Sequence, residues 1–137
     1  MPATSCILTP VDRIFTRIGA SDRIMENKST FYIEMEETKS FIEQATCNSL
    51  VIVDELGRGT STFDGFAIAS AVLTHLLKTT KSRTLFTTHY HMMLDTFRSN
   101  KAVKFMKMDC EVKDEHVTFL YKFVEGGTDD SQGLFVA

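Results

Sequence analysis

Two adjacent carboxylates, Asp54 and Glu55, directly follow the apolar run Leu50–Val53. A continuous run of Leu, Val and Ile is typical of a parallel strand that helices cover on both faces. The carboxyl end of such a strand opens at the sheet edge where ligands bind. In a nucleotide site, Asp54 would hold a magnesium ion there, and Glu55 would orient the attacking water. The alternative is a core strand that ends in a polar turn, because short apolar runs are common.

The residues after Glu55 favour a ligand-binding loop. Residues 57–65 are mostly glycines and hydroxylated residues, which allow tight turns and a close approach of the backbone to a ligand. Asp64 is a suitable N-cap for the apolar-periodic stretch 66–77, which predicts a helix packed on the sheet. Residues 83–88 have strand composition and lead to His89, so we expect a second strand end to converge on the first.

Upstream, Ser29 precedes a stretch with helical periodicity. A helix that begins at a hydroxyl residue suits an anion, although serine is also an ordinary N-cap. The apolar positions that fit the period are Phe31, Met35, Ile42 and Ala45. The acidic residues of the same stretch are expected to form its solvated face; they are Glu34, Glu36, Glu37 and Glu43.

Downstream of His89 the pattern predicts shorter elements. Residues 92–97 can form one or two helical turns. Residues 103–108 and 116–123 alternate enough to be two strands, and the acidic stretch 111–115 between them indicates a hairpin connection.

Several of these motifs together resemble one family. The strings SLVIVDELGRGTSTFDG (residues 49–65) and TLFTTHYH (residues 84–91) are similar to the ATPase domain of the MutS family of DNA mismatch-repair proteins. Residues 9–22 and 27–31 resemble the segment that leads into the signature loop of that family. Residues 119–123 resemble the eukaryotic MutS homologue that recognises single mismatches as part of a heterodimer. The similarity runs from about Pro2 to Ala137, so residues 1–137 are interpreted as part of one MutS-type ATPase domain.

The resemblance implies a fold and a composite site. The fold would be an α/β P-loop NTPase of the ABC-ATPase type, three-layered, with antiparallel edge strands near the C-terminus. ATP and Mg²⁺ would bind with Asp54 on the metal shell, Glu55 as the water-positioning base and His89 sensing the γ-phosphate. Ser29 would contact the nucleotide bound by a partner subunit. The partner would be another MutS-family protein in a nuclear heterodimer, and mismatched DNA would bind through domains outside these residues.

Composition narrows the possible classes of protein. The net charge is -3, and no basic cluster supplies the stripe that nucleic-acid binding requires. No apolar run approaches about 18 residues and no secretion signal is present, which predicts an intracellular, soluble protein. The cysteines, Cys6, Cys47 and Cys110, are odd in number and are expected to be reduced and buried. A zinc site of His89, His91 and Cys110 is the weaker alternative, because no CxxC motif is present.

One motif of the family is not found in these 137 residues, namely the phosphate-binding G-x-x-x-x-G-K-[ST] loop. In the family this loop lies upstream of the segment that resembles Pro2 onward. The residues alone are therefore expected to form half a nucleotide site, and strand 50–53 is expected to have an unpaired edge and an uncovered side. Two hypotheses follow: the chain is a piece of a working ATPase, or it is a catalytically inactive truncated product that acts as an interaction module.

Overall fold

The structure, a computed structural model, describes residues 4–19, 29–113 and 116–127. The chain divides into two compact units, Met1–His89 and Tyr90–Ala137. Among the helices that are described, none combines the length and apolar character needed to cross a bilayer.

The first unit is built on a parallel sheet. Its elements in chain order are β1 Ile14–Arg17, α1 Thr30–Gln44, β2 Leu50–Val53, α2 Thr62–His75, a π-helical segment Leu76–Thr80, and β3 Arg83–Phe86. The strand order is β1-β2-β3, and both pairings are parallel. The predicted strand 50–53 is therefore confirmed as β2. Its expected unpaired edge is wrong, because β2 is the central strand and both of its edges are hydrogen-bonded.

The hydrophobic core lies between the sheet and the two long helices. Val51 and Val53 of β2 are fully buried, whereas Leu50 and Ile52, which point the other way, are half-buried. The core residues packed together are Phe41, Val51, Val53, Leu56, Val72 and Leu76. Since α1 and α2 both contribute to this one cluster, they cover the same face of the sheet. The described residues thus form two of the three expected layers.

The helix α1 begins as predicted but turns a different face inward. Ser29 is its N-cap, and the Ser29 hydroxyl accepts a hydrogen bond from the backbone N–H of Tyr32 at 3.2 Å. The buried residues are Ile33, Glu34, Thr38 and Phe41. The four apolar positions taken from the sequence are half-buried. The predicted solvated acidic face is wrong for Glu34, which is only 2% exposed.

The helix α2 begins earlier than the sequence indicated. Its N-cap is Ser61, not Asp64. The Ser61 hydroxyl accepts from the backbone N–H of Asp64 at 3.2 Å and donates to Asp64 Oδ2 at 2.7 Å. Asp64 therefore occupies the third position of the helix, as the acidic residue of a capping box does. Its negative charge is favourable there, because the N-terminus of a helix carries partial positive charge.

The second unit contains α3 Met92–Phe97, β4 Met106–Lys113 and β5 His116–Glu125. The short helix and the antiparallel strand pair are confirmed. The first strand begins at residue 106 and runs to residue 113, so the acidic residue Glu111 lies within it and not in the connection. The register shifts between Met108 and Cys110, which explains the imperfect alternation of the sequence. In the described residues these strands form their own two-stranded sheet.

The cysteines do not behave as small core residues. Cys6 and Cys47 are exposed, Cys110 is half-buried, and all three are free thiols. The prediction that they are buried is therefore wrong.

Candidate functional site

The carboxyl ends of β2 and β3 are joined beyond the last paired residues of the strands. The backbone N–H of Thr87 donates to the carbonyl of Val53 at 2.9 Å. The backbone N–H of Glu55 then donates to both the carbonyl oxygen of Thr87, at 3.2 Å, and the Thr87 hydroxyl oxygen, at 3.1 Å. The Thr87 hydroxyl in turn donates to Oδ1 of Asp54. One threonine therefore fixes the positions of both adjacent acidic residues.

The Asp54 carboxylate keeps one oxygen for another ligand. Its Oδ2 atom makes no hydrogen bond with the residues that the structure describes. Carboxylate oxygens are hard ligands, and Mg²⁺ in nucleotide sites is held by one or two carboxylates while it keeps several waters. Asp54 therefore fits a magnesium shell, even though no group of three or more His, Cys, Asp or Glu gathers as a metal site in the described part of the chain.

Glu55 lies in a left-handed turn with a φ of +48°. Its carboxylate contacts the Arg58 guanidinium, with 2.7 Å between Oε2 and Nη1, and the two side chains are 38% and 76% exposed. Exposed ion pairs of this kind contribute about 0–1 kcal/mol. Glu55 can therefore exchange Arg58 for a water molecule or another ligand at little cost.

A second, buried carboxylate lies behind this turn. Oε1 of Glu34 accepts a hydrogen bond from the backbone N–H of Gly57 at 2.9 Å, and the same oxygen lies 3.3 Å from Nη2 of Arg17. The Arg17 side chain is also buried, and its Nε atom lies 3.4 Å from Oε2 of Glu37. This group joins the end of β1, the helix α1 and the loop after β2.

Three residues at this site were not predicted from the sequence as site residues, namely Arg17, Glu34 and Thr87. A signal existed for Glu34, because it is four residues before Thr38 and seven before Phe41, which is the spacing of one helical face. Arg17 likewise shares the inward side of β1 with Phe15, since alternate residues of a strand point to the same face. A carboxylate and a guanidinium on inward positions are a candidate buried pair, although neither pattern says what the pair contacts.

These residues surround a cleft of about 310 Å³. Its lining is Arg17, Gly19, Thr30, Glu34, Asp54, Glu55, Arg58 and Gly59. The cleft lies at the carboxyl ends of β1 and β2 and beside the first turn of α1. Ligands of open parallel α/β sheets bind outside the carboxyl ends of the strands. The position and the carboxylate-rich lining suit a ligand that arrives with a metal ion.

Of the four residues singled out by the sequence, two meet in this cleft and two do not line it. Asp54 and Glu55 are lining residues, whereas Ser29 is exposed and its neighbour Thr30 forms part of the wall. His89 is exposed and lies three residues beyond the end of β3. The roles expected of Ser29 and His89 toward a nucleotide stay predictions.

A mixed α/β fold with acidic residues at the carboxyl end of its central parallel strand defines a class of ligand-binding proteins. The family profile described as MutS domain V matches residues 1–137, and the chain belongs to the MutS family. It is 52% identical, over 144 residues, to the DNA mismatch repair protein Msh6 of Gallus gallus and to that of Homo sapiens. It is 48% identical over 139 residues to the DNA mismatch repair protein MSH6 of Saccharomyces cerevisiae. Each comparison covers 100% of this chain and 11% of the relative.

Proposed function

We propose that the chain supplies part of the ATP-hydrolysing site of a DNA mismatch-repair protein, on a P-loop NTPase fold of the ABC-ATPase type. The observation that carries the proposal is the Asp54–Glu55 pair, held by Thr87 at the end of a central parallel strand in a chain of the MutS family. The relatives quoted above are named as mismatch-repair proteins, which supports the same process for this chain.

Asp54 and Glu55 have different roles in hydrolysis. Asp54 would hold the water shell of Mg²⁺ through Oδ2, and the ion would supply positive charge beside the transferred phosphoryl group. Glu55 leaves Arg58 and accepts a hydrogen bond from the attacking water, so that the water is oriented toward the γ-phosphate. His89 contacts the γ-phosphate from the end of the neighbouring strand.

Ser29 acts on a second nucleotide, bound by a partner subunit. It caps a 15-residue helix, and the N-terminus of such a helix presents partial positive charge to an anion. The partner is another MutS-family protein, so the functional unit is a heterodimer, and it works in the nucleus. The chain itself carries a net charge of -3, so mismatched DNA binds elsewhere in the assembly.

An exchange experiment tests the proposal. The matching segment of Saccharomyces cerevisiae MSH6 is replaced by residues 1–137, and the resulting exchange protein is expressed in a yeast strain that lacks its own MSH6. Exchange protein with the unaltered segment should lower the mutation rate toward that of the normal strain, whereas its Glu55→Gln variant should not.

The matched control is Glu43→Gln. Glu43 is an exposed carboxylate that pairs with Lys39 on the surface of α1, at 3.8 Å, so this variant should repair like the unaltered exchange protein. Repair that survives Glu55→Gln at equal protein level would contradict the catalytic role and favour the inactive interaction module. No repair by a stably expressed exchange protein would contradict the proposed function itself.

A further inference from the structure

The buried carboxylate of Glu34 touches three separate elements. It belongs to α1, it pairs with Arg17 at the end of β1, and it accepts the N–H of Gly57 in the loop after β2. Glu34 is 2% exposed and Arg17 is 7% exposed. A buried ion pair is weak support for stability, because apolar residues of similar volume often replace it without loss. What this pair supplies is a charged acceptor at a fixed place.

That acceptor holds one end of the turn that carries Glu55. The other end is the N–H of Glu55 itself, which donates to Thr87. Leu56 lies between the two anchors and is fully buried. The backbone from Glu55 to Gly57 is thus held by a hydrogen bond at each end and by a core side chain in the middle.

The backbone of the same turn also packs on α2, at Gly65. Gly57 has a φ of +89°, and a Cβ atom at this position would lie 2.6 Å from the carbonyl oxygen of Gly65. The turn is therefore clamped between Glu34 on one side and Gly65 on the other. A hydrogen bond from a backbone N–H to a carboxylate is stronger than one to a neutral acceptor.

We propose that Glu34 is a positioning residue for ATP hydrolysis. It holds the Gly57 amide and so fixes the backbone from which the Glu55 carboxylate reaches the attacking water, while Arg17 supplies the countercharge that keeps Glu34 in place. The inference rests on the proposed function, and it adds a residue that acts through the Gly57 amide. Misplacing a catalytic group by about 1 Å can cost on the order of 100-fold in rate.

Two double variants of the exchange protein separate positioning from folding. In Glu34→Gln with Arg17→Met, the ion pair becomes neutral but the amide oxygen of residue 34 still accepts from Gly57. In Glu34→Leu with Arg17→Met, the pair becomes apolar and the acceptor is lost. Both avoid an unpaired buried charge, so both should fold.

Arg17 lines the cleft, and Arg17→Met is common to both double variants, so the two are compared with each other. The variant with Leu at 34 should have a kcat about 10- to 100-fold below that of the variant with Gln at 34, with nearly the same KM for ATP. Hydrogen exchange, read by mass spectrometry, should accelerate in the peptide containing residues 55–59 only in the variant with Leu at 34. Glu43→Gln, on the exposed side of α1, should change neither readout.

Equal kcat in the two double variants, or a loss confined to KM, would overturn the positioning role. Loss of hydrogen-exchange protection throughout the segment, instead of in the loop alone, would also overturn it. Failure of the proposed function would give a different result, because the unaltered exchange protein would then show no ATP hydrolysis that depends on Glu55. The exchange rate of the loop would still report whether Glu34 holds Gly57.

Discussion

The Thr87 hydroxyl donates a hydrogen bond to the carboxylate of Asp54 and so ties the end of β3 to the end of β2. The same hydroxyl oxygen accepts the backbone N–H of Glu55 at 3.1 Å. A single side chain that serves as donor to one acidic residue and acceptor to the next sets their relative position. The consequences of removing it differ from those of removing either carboxylate.

Thr87→Val keeps the shape of the side chain but removes both of these hydrogen bonds. Hydrogen bonds to charged groups contribute about 1.5–3 kcal/mol, so we expect the exchange protein to lose about 10- to 100-fold in ATP hydrolysis at limiting Mg²⁺. Thr87→Ser retains the hydroxyl and should stay close to the unaltered protein. Steady-state hydrolysis measured across a Mg²⁺ titration gives the comparison. Equal activity of the valine and serine variants would show that the hydroxyl does not act on the acidic pair.

Substitutions of Glu55 and Asp54 should have different kinetic effects in the exchange protein. Glu55→Gln removes the group that orients water, so turnover should fall by about 10²- to 10⁴-fold while ATP still binds. Asp54→Asn should instead weaken Mg²⁺-dependent binding of ATP. Fluorescent-nucleotide titration and single-turnover hydrolysis distinguish the two. Near-normal turnover by the Glu55 variant would mean that another group is the base.

Asp12 gives the first unit a stability that depends on pH. Its carboxylate accepts hydrogen bonds from the hydroxyls of Thr46 and Ser49, and these bonds lower the pKa of Asp12 below the model-peptide value of 3.8. Because the pKa of Asp12 is lower in the folded state, its ionised carboxylate raises the free energy of unfolding at pH values above the unfolded-state pKa. That stability is lost as the pH falls below about 4 and through the folded-state pKa.

Asp12→Asn should therefore lower the melting temperature of residues 1–137 near pH 7, and the difference should shrink below about pH 4. Melting followed by circular dichroism over this range is the measurement. If the melting temperatures of Asp12→Asn and the unaltered chain differed by the same amount at every pH, ionisation of Asp12 would not be the source of the stability.

The face of the sheet opposite the helices should bind an apolar probe in the isolated polypeptide of residues 1–137. Ile14 and Leu85 are each 58% exposed, and they flank Leu50 and Ile52 across the paired strands. We expect the polypeptide to bind a dye that fluoresces on apolar surface and to self-associate. Leu85→Lys should reduce both effects. Phe63→Ser, which removes an 82% exposed ring from α2, should leave them unchanged; equal effects of the two variants would point to a different apolar surface.

Much of the first unit could be predicted because its signals are local. The apolar run before Asp54 specifies β2, and the hydroxyl of Ser29 marks the start of α1. The face of α1 was harder, since its apolar residues are sparse and Glu34 reads as a surface residue until its partner Arg17 is known. That partner lies 17 positions earlier in another element, and no single-sequence periodicity reports such a contact.

Thr87 was missed for a related reason. A threonine at the end of a strand is usual, because β-branched residues favour strands. Its role depends on the parallel pairing of β2 with β3, which places it beside Asp54 and Glu55. The start of α2 was misplaced because Ser61 and Asp64 are both acceptable caps, and only the observed backbone shows which of them precedes the first turn.

The two glycines of the Gly57–Arg58–Gly59 loop look interchangeable in the sequence, but they differ in mutational tolerance. Every amino acid other than glycine carries a Cβ, so each of the 19 replacements at Gly57 meets the same Gly65 oxygen at 2.6 Å. At Gly59 the nearest atom to an added Cβ is Oε2 of Glu34, 3.5 Å away, which is an ordinary van der Waals contact. In genetic terms, any missense change at codon 57 should strain this turn, whereas an alanine at codon 59 should fit the fold.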